Sequence, residues 1–153
     1  MQNISKVRVI YADTDAMGIV YHTNYIRWFE IGRTEWLRDL GFVYNDWKDR
    51  GFNLPVTQVY CHYLLSARYD QVLLIETEVD YVKRASLKFR YRIWDEGHEK
   101  DLTEGYTVHA CTNREGKIIR LPWEMIAIIE KGVPDHGGSD AAIISPSPLG
   151  AAQ

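Results

Sequence analysis

Apolar residues recur with two different periods along this chain of 153 residues, and the change of period marks where strand gives way to helix. Residues 4–11, ISKVRVIY, set Val7, Val9 and Tyr11 at alternate positions, which predicts a strand with one buried face. The next stretch, ADTDAMGIVYHTN, holds polar turn formers and a glycine without a stable period, and reads as a loop. From residue 25 the spacing becomes helical. Tyr25, Phe29, Trp36 and Leu40 fall along one side, with Ile26, Trp28, Ile31 and Leu37 widening the stripe. A stripe that broad predicts a helix over residues 25–40 enclosed on more than one side. Thr23 or Asn24 is placed to cap its start, and Gly41 stands where a C-terminal cap belongs. Gly32 is unfavourable inside a helix and predicts the close approach of another backbone.

After an irregular region containing Trp47 and Pro55, the pattern is mostly strand. Residues 56–65 alternate through Val59, Cys61, Tyr63 and Leu65. Residues 72–82 put Leu73, Ile75, Val79 and Tyr81 on one face, and Glu76, Glu78 and Asp80 on the other. The sharpest alternation is SLKFRYRIW, where Leu87, Phe89, Tyr91 and Ile93 oppose Lys88, Arg90 and Arg92. Residues 102–112 alternate less sharply, through Leu102, Tyr106, Val108 and Ala110. NREGK makes a turn before a short strand at residues 118–120, and Pro122 opens a second helix, PWEMIAIIEKG, that ends near Gly132. One early helix followed by strands with short links, SARYDQ and DEGHEKD, fits a meander and leaves no room for crossover helices. The expectation is one α+β domain over residues 1–133, a curved antiparallel sheet around a central helix. The tail, residues 134–153, is rich in Gly, Ser, Pro and Ala and is expected to be loosely held.

Composition changes this picture little. With 46% hydrophobic and 25% charged residues, the chain has enough apolar area to fold. The balance of 18 basic against 21 acidic residues, a net charge of -3, lacks the basic field of a general nucleic-acid binder, yet leaves room for a local phosphate site. The start of the chain is too short in apolar run for a signal peptide, and no segment is long enough to span a membrane. Cys61 and Cys111 read most simply as buried thiols of a reducing compartment, with a bridge left geometrically open, and together with the preceding readings this makes the cytoplasm the expected location.

The densest polar constellation is Asp13, Asp15, Tyr21, His22, Asn24 and Tyr25, spanning the loop and the start of the long helix. A carboxylate there would stand near free helix N–H groups able to stabilise an oxygen gaining negative charge. Equally, Asp13 and Asp15 can make turn hydrogen bonds while His22 and Asn24 cap or decorate the helix. A metal reading is weaker: DTD followed by His22 offers oxygen and nitrogen ligands, without a firm third ligand or a recognised spacing. No nucleophile elbow, phosphate loop or CxxC pair is present. His62 and His109, within strand patterns, read as structural; His98 falls in a polar turn and His136 in the tail. Lys83 and Arg84 sit at a turn where they can contact phosphate or simply face solvent. The basic row Lys88, Arg90, Arg92 is set to pair with the acids of residues 76–80 on a neighbouring strand.

The stretch VRVIYADTDAMGIVYHTNYIRWFEIGRTEWLRDLG resembles the hotdog-fold acyl-CoA thioesterases of the 4-hydroxybenzoyl-CoA thioesterase-like group, and within it the small bacterial enzymes associated with the Tol–Pal system. VKRASLKFRYRI resembles the same group, and the likeness covers about residues 5–131. The resemblance implies hydrolysis of an acyl-CoA thioester with no redox cofactor and no metal. It implies that Asp15 is the catalytic carboxylate and that the His22 backbone N–H polarises the carbonyl, with the His22 side chain assisting. It further implies that Tyr21 is an adjacent pocket position, and with it Asn24, Tyr25, Lys83, Arg84 and Ser86 are the expected substrate contacts, Lys83 and Arg84 from their place at the turn. A homodimer with sites at the subunit junction, often paired again into a homotetramer, is the expected assembly. A catalytically silent acyl-CoA or acyl-carrier binding module is the alternative of a different class, and an adaptor protein the third.

Overall fold

The computed structural model describes residues 3–97 and 100–133; the tail with His136, and also His98, lie outside the described residues. Five strands form one antiparallel sheet: β1 (Asn3–Arg8), β2 (Val56–Tyr63), β3 (Val72–Val82), β4 (Ser86–Asp95) and β5 (Asp101–Ala110), in the order β1-β3-β4-β5-β2. Among the described residues three α-helices accompany it: α1 (Asn24–Asp39), α2 (Tyr44–Asp49) and α3 (Trp123–Glu130).

Helix α1 ends as its glycine predicts. Gly41 takes a φ of 80°, its N–H bonds Arg38 O at 2.9 Å, and the Phe42 N–H reaches back to Leu37 O at 3.0 Å. That is a Schellman cap, which satisfies carbonyls the helix would otherwise leave open. The start differs from expectation: Thr23 occupies the N-cap but its side chain makes no capping bond. Gly32 does mark a close approach, to side chains of β3. A Cβ there would overlap Thr77 Oγ1 and lie 2.9 Å from Ile75 Cγ2.

The sheet corrects the expected architecture. It is an α+β hotdog-like arrangement, but the sheet is open, neither closed nor strongly curled around the helix. Its edges are β1 and β2, which do not pair. Helix α1 lies chiefly over β3 and β1, while β2 is exposed along nearly its whole length. The broad apolar stripe of α1 is covered in another way. Phe29 stacks on Tyr91 of β4 with centroids 4.3 Å apart, and Trp36 meets Phe89 edge-on. Met125 and Ile129 of α3 and Trp47 of α2 complete the same core. Helix α2 itself is an addition to the expected irregular region; six residues are too few to display a period.

Two register shifts explain where alternation misleads. Between Val79 and Tyr81 the β3–β4 register slips by one residue, so Tyr81 pairs with Lys88 and Val82 with Leu87. Val82 thereby joins the core and Tyr81 moves to the outer face. On β5, Thr103, Thr107 and His109 pair with Ile93, Phe89 and Leu87, so the polar row faces the helix and Tyr106 and Val108 face outward. The expected strand at residues 118–120 is reduced to an isolated bridge between Thr112 and Ile118. The outer face carries the expected ion pairs, Arg90–Glu78 at 3.0 Å, Lys88–Asp80 at 3.2 Å and Arg92–Glu76 at 3.6 Å. Each is worth at most about 1 kcal/mol, against about 1.5–3 kcal/mol for burying one large apolar side chain, so the core decides stability.

Candidate active site

The loop between β1 and α1 folds back on itself. Tyr11–Asp13 form a 3-10 turn, and residues 13–15 then run antiparallel to residues 19–21. Tyr21 N–H bonds Asp13 O and Asp15 N–H bonds Ile19 O, both at 2.9 Å. Gly18, at φ 75°, permits the reversal between them.

The two aspartates of this segment have different fates. Asp13 is buried, its carboxylate accepting the Ile10 N–H at 2.9 Å and pairing with Arg27 Nη2 at 2.5 Å. Its carbonyl also accepts Asn24 Nδ2–H at 2.8 Å, so Asp13 and Asn24 fasten the loop to the helix. Asp15 is half-buried. Its Oδ1 accepts the Met17 N–H at 2.8 Å, and its Oδ2 accepts no hydrogen bond from the described residues.

His22 opens α1. Its carbonyl accepts the Tyr63 hydroxyl at 2.8 Å, which ties the helix start to the end of β2. Its own backbone N–H has no acceptor among the described residues, and Thr23 does not shield the helix terminus. The His22 ring lies 4.6 Å from that of exposed Tyr21 and 6.2 Å from that of Tyr63. Tyr25 is buried, and its oxygen accepts the Ala67 N–H at 3.1 Å; burial pushes its hydroxyl pKa up. Burial does the same to Tyr63, with the neighbouring Cys61 thiol adding to it.

Asp15, Tyr21, His22, Asn24 and Tyr25 are thus gathered at one end of the sheet. Lys83, Arg84 and Ser86 are not. They stand on the β3–β4 hairpin, where Lys83 N–H bonds Ser86 O at 2.8 Å and the Lys83 ammonium lies 4.2 Å from the Tyr81 ring centre. The length of β3 separates the two groups, roughly 30 Å at the ordinary rise of a strand.

Sequence reasoning misses a polar relay on the helix-facing side. His109 Nδ1 faces Leu54 O at 2.9 Å, so Nδ1 carries the proton and Nε2 accepts from Thr107 Oγ1 at 2.9 Å. The Thr107 oxygen in turn accepts the Tyr91 hydroxyl at 2.7 Å. Burial pushes His109 down to about 4, against the Leu54 bond and with the Arg33 charge adding to the depression. His109 is therefore structural, as its strand position predicts. His62 differs: it is exposed on β2, 3.3 Å from Glu104. Cys111 is buried and Cys61 half-buried, and both are free thiols. Among the described residues no three His, Cys, Asp or Glu side chains gather as metal ligands, and no helix is long and apolar enough to cross a membrane.

The chain matches the family model described as "Thioesterase superfamily" over residues 17–101, which begins just after Asp15. It is 33% identical over 130 residues to a "Putative esterase" of Aquifex aeolicus, covering 85% of this chain and 99% of the relative. It is 41% identical over 88 residues to "Acyl-CoA thioesterase YbgC" of Haemophilus influenzae, covering 57% and 65%. The structure of a DHNA-CoA thioesterase from Staphylococcus aureus superposes with a TM-score of 0.80 at 31% identity, over 85% of this chain and 89% of that one. Fold, loop motif and these likenesses agree: the chain belongs to the thioesterase superfamily, in its 4-hydroxybenzoyl-CoA thioesterase-like group of hotdog-fold acyl-CoA thioesterases.

Proposed function

We propose that the chain hydrolyses acyl-CoA thioesters to a free acid and coenzyme A, with Asp15 as general base or nucleophile and the His22 backbone N–H as the donor to the carbonyl oxygen. The supporting observation is that the segment leading into α1 carries both a carboxylate oxygen of Asp15 that accepts no hydrogen bond and, just before the N-cap, a His22 backbone N–H that has no acceptor, each among the described residues. Attack on a thioester carbonyl drives negative charge onto its oxygen, and an amide fixed at a helix N-terminus meets that charge without reorganising. Asp15 Oδ2 either removes a proton from the attacking water or attacks directly, forming an acyl anhydride that water then opens. The His22 ring stands at the same mouth, where it can orient that water.

The substrate contacts proposed for Lys83, Arg84 and Ser86 require a second chain, because one chain holds them at the far end of the sheet. The free edge of β2 offers the means. It exposes Val56, Val59, Tyr60 and Tyr63. An edge strand of this kind invites pairing with another strand. Antiparallel pairing of two β2 strands sets the Val56 end of one copy beside the Tyr63 end of the other, so the Asp15 end of one chain meets the hairpin end of its mate. Lys83 and Arg84 are then placed for the phosphates of coenzyme A. A homodimer is the unit of this reading, and pairing of two dimers into a tetramer is what the resemblance adds. The test is release of free thiol from short, long and aromatic acyl-CoA thioesters by the purified chain. Tight binding of those thioesters without thiol release would replace hydrolysis with a binding role.

A further inference from the structure

A cavity of about 540 Å³ opens between the second half of α1 and the start of β2. Leu37, Phe42, Leu54 and Phe89 are among its apolar walls, and Arg33, Glu30 and His109 among its polar lining, which also includes Arg38, held in an ion pair by Glu35. His109 has nothing left to offer a ligand, since both ring nitrogens are engaged in the relay to Leu54 and Thr107. Arg33 is different. It is half-buried, it lines the cavity together with His109, and its charge acts on both the Tyr91 hydroxyl and the His109 ring. It makes no ion pair among the described residues. Glu30, one turn earlier and exposed, stays beyond ion-pair distance of it, and Glu35 is taken by Arg38.

A guanidinium half-withdrawn from water, without a carboxylate of its own and beside apolar walls, suits a small ligand with an apolar body and an anionic end. The cavity is far along α1 from the Asp15 of its own chain. In the paired-β2 arrangement it instead opens toward the Asp15 of a second copy, because Val56 lines it. We propose that this cavity takes the acyl group of the thioester and that Arg33 selects acyl chains ending in a carboxylate. This assignment rests on the shared-site reading above. The Tyr91–Thr107–His109 relay lies behind it: its donors are spent on one another, and the Arg33 charge acts on the Tyr91 hydroxyl.

The experiment compares kcat/KM for glutaryl-CoA and hexanoyl-CoA, of similar length with charged and apolar ends. A ratio measured on one sample cancels any loss of folded enzyme. Wild type favours glutaryl-CoA, and Arg33→Met lowers the ratio by about 10- to 100-fold, the range of a charge-assisted pair. Arg33→Lys, which keeps the charge but loses the fork, retains part of the preference. An equal ratio in wild type and Arg33→Met overturns the assignment. Titration of free glutarate by calorimetry into wild type and Arg33→Met separates the sources of failure. If wild type hydrolyses no thioester, the shared-site reading fails, and glutarate binding that survives in Arg33→Met then removes the anion site as well. Glutarate binding lost in Arg33→Met beside an unchanged thioester ratio assigns the cavity to a free acid and overturns acyl selection.

Discussion

Acidification from pH 7.5 to 5 should destabilise this protein through His109. The imidazole is buried and neutral, and its native pKa of about 4 lies below the 6.5 of an unperturbed histidine. The unfolded chain therefore takes up a proton as pH falls through 6.5, while the native chain does not until pH nears 4. Stability from this group is fully present above 6.5 and is lost as pH falls toward the folded value. The gap corresponds to about 3 kcal/mol once pH is below both values, and about 2 kcal/mol is already gone at pH 5. Urea midpoints at pH 7.5, 6.5, 5.5 and 5.0 measure the loss in wild type and in His109→Gln. The variant starts less stable, because the bonds to Leu54 and Thr107 are disturbed, but its pH slope should be shallower by that 2 kcal/mol. Parallel curves for the two proteins over this range would refute the reasoning.

Gly105 has no room for a side chain: an added Cβ would overlap Tyr60 O and come within 2.9 Å of the Phe29 ring. Gly105→Ala should cost about 1–3 kcal/mol of overpacking, read as a lower urea midpoint with unchanged m. Replacing Lys83 and Arg84 together by Ala should raise KM for an acyl-CoA more than for a truncated thioester lacking the phosphates; equal effects would remove their phosphate role. His22→Ala keeps the backbone N–H and should retain more turnover than Asp15→Asn, compared in the same thiol-release assay.

Much of the fold is legible where local chemistry and tertiary packing agree. The helix at residues 24–39, its Gly41 terminator and the β4 alternation are all set by nearby residues. The departures have physical causes. The slip at Asp80 depends on how β3 meets β4, and it reverses Tyr81 and Val82. On β5 Thr107 and His109 can face the helix because they satisfy one another together with Tyr91, a condition no single strand displays. The expected curl of the sheet followed from the breadth of the α1 stripe, but α2 and α3 share in covering it. The site is half legible. The loop motif points to Asp15 and His22; the partners of Asp15 are local, whereas His22 is also tied to Tyr63 of β2. Which of the two aspartates stays free depends on Arg27 reaching back to Asp13. The relay behind Arg33 joins residues of β4 and β5 to the Leu54 carbonyl ahead of β2, so spacing alone gives no hint of it.

The central claim is that Asp15 supplies the base or nucleophile. Its most direct test is the kcat of purified Asp15→Asn against wild type on one acyl-CoA, with ligand binding and oligomeric state measured on the same samples. The account predicts a folded assembly that binds substrate and turns it over at least about 100-fold more slowly. Near-wild-type turnover by a folded, fully occupied Asp15→Asn protein would contradict it.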